Sequence, residues 1–173
     1  MKKYLFFILP FLLIVNPLTE QMYQENLLAL MASHYALFFL GFLLGVKTSP
    51  RRLWFLGLIA PVLVHVPPLF QVFTTNEALR VLSEVSLVLS GTLLGSGLPL
   101  MSTKVRLFLF GSWMLGDTIL SVDFLVGGEN FASPFTPYSI YQVRDTGVFM
   151  FLIMNLVAFF IIMKILLNVF ERS

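Results

Sequence analysis

Met31-Ala32-Ser33-His34-Tyr35-Ala36-Leu37-Phe38-Phe39-Leu40-Gly41-Phe42-Leu43-Leu44-Gly45 is an apolar run with one titratable imidazole inside it. Its length fits a helix crossing a bilayer, which takes roughly 20 apolar residues. The other histidine, His65, lies in the next apolar run. Working outward, hydrophobic residues make up 58% of the chain and charged residues 12%, with a mean hydropathy of +0.90. A soluble domain carries about 25% charged residues, so this chain lacks the charge to cover a water-facing surface. The fold class expected is all-α, a polytopic membrane helix bundle of about six transmembrane helices. The spans fall near 4–16, 27–46, 53–73, 79–101, 105–126 and 146–169, in one domain over 1–173. No internal repeat and no separate soluble domain is apparent. With no cysteine, disulfides, thiolate metal sites and covalent haem attachment are excluded.

The first segment, Tyr4 to Val15 after Lys2 and Lys3, has the outline of a signal peptide but no small-residue cleavage pattern. A retained short span ending at Asn16-Pro17 is the preferred reading. Pro61, Pro67 and Pro68 predict that the third span is kinked or unwound toward its outer end. Lys2, Lys3, Lys47, Arg51, Arg52, Lys104, Arg106, Lys164 and Arg172 sort to one side. Glu20, Glu25, Glu77, Glu129 and Asp145 sort to the other, with Arg80 and Arg144 as exceptions. The bias of cationic loops toward the cytoplasm then places both termini there, in a multi-pass protein of the cell membrane. Trp54 suits an inner interfacial position, and Tyr23, Tyr138 and Tyr141 an outer one.

Counting along the spans puts His34, His65, Glu84 and Asp117 in the outer half of the bundle, with Asp123 nearer the interface. Charged groups at membrane depth cost about 2.5–3.5 kcal/mol near a helix centre and are functional candidates by default. His34, Gly41 and Gly45 share one stripe, as do Glu84, Gly91 and Gly95, so these groups face helix–helix contacts. Three chemistries fit. His34 and His65 provide axial ligands to haem b. Alternatively, His34, His65, Glu84 and Asp117 hold one transition-metal ion, Cu, Fe or Zn, with Met31 available to copper. The third is a proton or quinol relay without metal. The plainer alternatives are a helix–helix hydrogen bond for the histidines and an Arg80–Glu84 pair one turn apart. The loop Gly127–Asp145 reads as a lid over the outer site or as a cover for the break at Pro67-Pro68. Phosphate-binding glycine loops and soluble-enzyme motifs are absent, so nothing marks an enzyme, and the small net charge of +2 gives no reason to expect nucleic acid.

Asn16-Pro17 with Glu20, then Met31-xx-His34-Tyr35 and Gly41-xxx-Gly45, resembles a small archaeal family of multi-pass proteins of unknown function. Met31-xx-His34, followed by His65-Val66-Pro67, more distantly resembles CtaG-type proteins linked to assembly of haem–copper oxidases. That resemblance implies a role near respiratory oxidases, with His34 and His65 as the matching positions. The leading expectation is a redox-linked subunit or assembly factor of a respiratory complex, using His34 and His65 for haem b or a metal. A cofactor-free structural subunit, docking other membrane proteins, and a small proton-coupled transporter using Asp117 and Glu84 are the alternatives. The lack of an inverted repeat counts against the last.

Overall fold

The computed structural model describes residues 2–170, with side chains from Phe7 onward except at 165, 168 and 169. The side chains of Lys2 and Lys3, and Glu171, Arg172 and Ser173, which entered the charge sorting and the end of the chain, lie outside the described residues. The rest is helical: α1 (Lys2–Ile14), α2 (Pro17–Glu25), α3 (Leu27–Val46), a 3-10 turn (Arg52–Leu58) running into α4 (Ile59–His65), α5 (Pro67–Thr75), α6 (Glu77–Gly97), α7 (Thr103–Val126) and α8 (Ile140–Phe170).

Four helices, α3, α6 with its 3-10 extension, α7 and α8, are long and apolar enough to cross a membrane, or five spans if a bent pair is counted as one. The apolar bundle is therefore as expected, while the six long spans are not what the described residues form. The 13-residue α1 reaches only about 20 Å at 1.5 Å per residue, short of a hydrocarbon core of about 30 Å. The bent pair is the proline-bearing third span, broken by 76° between His65 and Pro67. Val66 sits there in an extended conformation, as the residue before proline prefers.

Residues 2–97 contain an internal duplication that composition and motif reading had passed over. Pro17 and Pro67, Gln21 and Gln71, Asn26 and Asn76, Ser33 and Ser83, Leu37 and Leu87, Gly41 and Gly91, and Gly45 and Gly95 are identical pairs, each 50 positions apart. The local structures repeat with them. Asn26 ends α2 by donating its N–H to Met22 O (3.0 Å) and starts α3 by accepting from Ala29 N (3.0 Å). Asn76 ends α5 by donating to Val72 O (3.2 Å) and starts α6 by accepting from Leu79 N (3.1 Å). Ser33 Oγ donates to Leu30 O and Ser83 Oγ to Arg80 O, each at 2.7 Å. Every partner in the second set lies 50 residues beyond its counterpart. Each unit is thus a short helix broken before a proline helix, an Asn hinge, and one long span.

The two long spans pack on each other around a local two-fold. A Cβ added to Gly41 would strike the Val88 carbonyl, and one on Gly91 the Phe38 carbonyl; Gly45 meets Thr92 and Gly95 meets Phe42 in the same way. These contacts are reciprocal under the 50-residue shift, as two-fold contacts must be. Positions rise together along both helices, so α3 and α6 are parallel and the axis runs along them. Between helices in lipid, close van der Waals packing through small residues takes the place of the hydrophobic effect.

α7 and α8 pack antiparallel, with Gly147 against Ser121 and Phe124, and Thr118 Oγ1 at 3.2 Å from Met154 Sδ. They cover one side of the duplicated unit. Phe70 of α5 packs on Phe124 and Phe131, ring centres 6.1 and 5.3 Å away, beside Leu30 and Met150. The connection between α7 and α8 is part of this core. Phe131 and Tyr138 are fully buried, Asn130 O accepts from Gln71 Nε2 (2.9 Å), and Tyr138 Oη donates to Tyr23 O (2.7 Å). It covers the broken span at α5. Tyr23 and Tyr138 are therefore core residues rather than interfacial anchors, while Tyr141 is exposed as expected.

Candidate functional site

The polar groups gather in the N-terminal halves of α3 and α6, beyond the glycine contacts. His34 follows from the stripe that carries Gly41 and Gly45, because residues seven and eleven positions apart share a helical face. It is 5% exposed. His65 is delivered by the break before Pro67, which ends α4 at that residue. His34 Nδ1 and His65 Nε2 lie 3.3 Å apart, with rings at 73°, so the two histidines picked out from the sequence meet. His65 Nδ1 is 2.6 Å from Pro61 O.

These contacts fix the tautomers of the neutral rings. A carbonyl only accepts, so His65 Nδ1 carries the hydrogen and Nε2 has the bare lone pair. His34 Nδ1 must then donate to it, leaving His34 Nε2 bare as well. That nitrogen is buried and has no partner. The pair is thus a directed chain from an open acceptor, through two imidazoles, to a backbone carbonyl.

A second cluster adjoins it. Arg80 and Glu84 lie on α6, 1% and 0% exposed, and Glu20 on α2 is 3% exposed. Arg80 Nε is 3.0 Å from Glu20 Oε2. Glu84 lies within the electrostatic reach of both Glu20 and Arg80, and Arg80 within that of His34. Arg80 Nε and Glu20 Oε2 are in ion-pair distance but not in hydrogen-bonding alignment, and Glu20 Oε1, Arg80 Nη1 and both carboxyl oxygens of Glu84 likewise have no hydrogen-bond partner. The expected Arg80–Glu84 pair is therefore corrected: Arg80 pairs with Glu20, which α2 swings in from the chain's first connection. Sequence reading had put Glu20 in an outer loop and Arg80 among exceptions. The clue available was that an arginine on the acidic side of the bundle called for a buried acid. Tyr138 closes the cluster, and burial pushes its phenol upward.

Asp117 forms a separate site. Both of its carboxylate oxygens lie 2.7 Å from Tyr35 Oη, which donates to them. The sequence reading had not chosen Tyr35, although its place beside His34 turns it toward α7. Among the described residues, no three of the histidines and carboxylates stand together at metal-holding spacing. His34, His65, Glu84 and Asp117 therefore do not converge on one point as the four-ligand expectation required. His34 and His65 pair, Glu84 joins Arg80 and Glu20, and Asp117 joins Tyr35.

Neither the curated proteins nor the solved structures include a match to this chain. A family model described as "Protein of unknown function (DUF1404)" matches residues 5–168, nearly the whole of the structure just described, and the chain belongs to that family.

Proposed function

We propose that this is a small proton-coupled membrane transporter, with the His34–His65 chain as its proton relay. The observation that carries the reading is the bare, buried Nε2 of His34 at the head of a hydrogen-bond chain whose direction Pro61 O sets. A proton taken at His34 Nε2 is balanced by release of the Nδ1 proton to His65 Nε2, which makes His65 an imidazolium with Nδ1–H still on Pro61 O. Onward transfer needs the His65 ring to turn, since the carbonyl only accepts a hydrogen bond. Intramembrane chains of His, Asp and Glu serve this purpose in pumps and transporters. Parallel repeats related by an axis along the membrane normal are a transporter architecture, with sites at the repeat interface. The duplication is of this parallel kind; the inverted repeat whose lack counted against the reading is not what it supplies.

The parallel course of α3 and α6 puts Lys47, Arg51 and Arg52 at the same end as Lys104 and Arg106. That supports a cytoplasmic position for this end, and an outward-facing polar half, in a multi-pass protein of the cell membrane with both termini inside. In this reading the broken pair α4–α5 forms one span and α1–α2 its counterpart, giving six.

The test is proton flux into liposomes holding the full chain and a pH-sensitive dye, driven by a potassium diffusion potential. Wild type acidifies or alkalinises the lumen according to the sign of the potential, and His34→Asn and His65→Asn do not. Wild-type flux no greater than that of empty liposomes refutes the proposal.

A metal reading keeps one specific observation. Two nitrogens at about 2.0–2.1 Å from a tetrahedral ion stand roughly 3.3 Å apart, which is the spacing of His34 Nδ1 and His65 Nε2. The Pro61 carbonyl is then the outer acceptor that metal-bound histidines favour. Haem b fits less well, since axial ligands lie on opposite faces of a macrocycle and these imidazoles touch. Under this reading the chain is a redox-linked subunit or assembly factor of a respiratory complex, CtaG-like. Elemental analysis and a dithionite-reduced spectrum of the purified protein separate the two: a stoichiometric metal lost in His65→Asn favours the metal reading.

A further inference from the structure

We infer that Glu84, Glu20, Arg80 and His34 form a binding site for one monovalent cation, a proton or an alkali ion, to one side of the local two-fold between the two repeats. The inference deepens the transporter reading by naming where its coupling ion rests.

The charge count comes first. Two carboxylates and one guanidinium, all at most 3% exposed, leave one negative charge in excess when ionised. The charge of Arg80 is matched by one carboxylate, Glu20 at 3.0 Å, so one carboxylate is in excess; Glu84 lies against Glu20, and none of the four oxygens of the two acids has a hydrogen-bond donor. Burying an unpaired carboxylate costs several kcal/mol, and one positive charge removes the imbalance. A second observation is independent of the acids: His34 Nε2 is a buried lone pair with no donor, on a side chain within electrostatic reach of Arg80 and at the helix position equivalent to that of Glu84. The titratable and charged groups that act on Glu84 are Glu20 and Tyr23 of α2 and Arg80 of α6; Arg80 in turn reaches His34 of α3, which pairs with His65 of α4, and Tyr138 of the α7–α8 connection. Arg80 is the one fixed cation among them.

Symmetry explains why the site is here. His34 and Glu84 are equivalent positions, each seven residues before the glycine that makes the helix contact. Leu30 is equivalent to Arg80, and Phe70 to Glu20. On one side of the axis Glu20 meets Arg80; on the other, Phe70 and Leu30 share the apolar cluster with Phe124, Phe131 and Met150. α7, α8 and their connection cover the apolar copy. The polar copy is the version that needs a ligand. Glu20 in the first repeat and Arg80 in the second make one of the two equivalent contacts polar and the other apolar, so the site is one-sided.

The experiment follows the melting temperature of the full chain in detergent. Sodium chloride is exchanged for choline chloride at constant ionic strength, and separately the pH is stepped. A ligand that binds only the folded state raises Tm with its concentration. An alkali-ion site gives a Tm that rises with sodium and not with choline; a proton site gives one that rises as pH falls, with no response to sodium. In either case Glu84→Gln removes the response, and Glu20→Gln, which cancels the same excess charge, removes it too. Should one variant fail to fold, the other carries the test. The inference is overturned if wild type responds to neither ion, or if the response survives in both folded variants. Wild-type flux no greater than that of empty liposomes with the Tm response intact is failure of the relay alone; wild-type flux without any Tm response is failure of the site alone.

Discussion

Replacing Gly41 by Ala should destabilise the protein by about 2–3 kcal/mol, and Gly91→Ala should cost the same. A Cβ at Gly41 overlaps the Val88 carbonyl oxygen and lies 2.9 Å from its carbon and 3.0 Å from Val88 Cα. All three atoms are backbone, so no side chain can swing aside, and α3 and α6 must part by about 0.5–1 Å. A gap of that size forfeits roughly a quarter to a half of a dispersion contact. Leu37 and Leu87 are buried at this level, at 0% and 1% exposure, and each such leucine makes about 40–60 contacts of about 0.1–0.2 kcal/mol. Losing a quarter of them over part of each side chain gives the figure. The double variant is the sharper test. Once one methyl has forced the helices apart, the second finds room, so the pair should cost about 1–2 kcal/mol less than the sum of the singles. Gly111 and Gly116 of α7 have nothing within 4 Å of an added Cβ. Alanine there should be neutral, or stabilising by up to about 1 kcal/mol through helix propensity. Equilibrium unfolding in mixed micelles, titrated with SDS and read by tryptophan fluorescence, measures all five variants against wild type. Equal stability of Gly41→Ala and Gly111→Ala would refute the packing argument, and additive costs in the double variant would refute a shared two-fold contact.

Two further substitutions test the buried charges. Arg80→Leu strands Glu20 beside Glu84 and should cost about 3–5 kcal/mol; Arg80→Leu with Glu20→Phe rebuilds the Leu30–Phe70 pair of the other repeat and should recover much of that loss in the same titration. Tyr35→Phe removes the donor shared by both Asp117 oxygens. Because Asp117 is only half-buried, the expected cost is about 1 kcal/mol, and Asp117→Asn in the Tyr35→Phe background should add little, as a double-mutant cycle would show.

The bundle was legible in the sequence because membrane helices declare themselves by composition: Leu27–Val46 ends where the apolar run ends. The kink at His65-Val66-Pro67 was legible because proline chemistry is local. So was the meeting of His34 and His65, since both depth and stripe follow from counting. Glu20 was not. Its burial depends on α2 folding back after Asn16 caps it, with Leu18 N and Thr19 N donating to the Asn side chain. A nine-residue helix that lies under a neighbour looks, in sequence, like a polar loop. Among the described residues only four helices, or five spans with the bent pair, pass by length and composition, for a related reason. α1 is apolar but too short, and length along the membrane normal is what a span requires. The duplication escaped notice because the units share backbone-determining residues, Pro, Asn, Ser and Gly, while their apolar positions exchange freely among Leu, Val, Phe and Ile.

That pattern of sharing and divergence bears on how the site arose. The positions kept in both units set geometry: proline after the break, asparagine at the hinge, glycine at the crossing. Those that differ set chemistry. Val15 answers to His65, Leu30 to Arg80, His34 to Glu84 and Glu20 to Phe70. Each polar pair therefore joins the two units and has no polar counterpart across the axis. A symmetric arrangement would have doubled the charge, placing two arginines and two further carboxylates in a low-dielectric core at several kcal/mol each. It would also have put one pair against Phe124 and Phe131, where no donor could answer it. With α7 and α8 packed on one face only, the two sides of the axis are held in different surroundings, and charge is tolerated on the side closed by Tyr23 and Tyr138 rather than by Phe124 and Phe131. The asymmetry of the site is thus a physical consequence of covering a two-fold unit on one side.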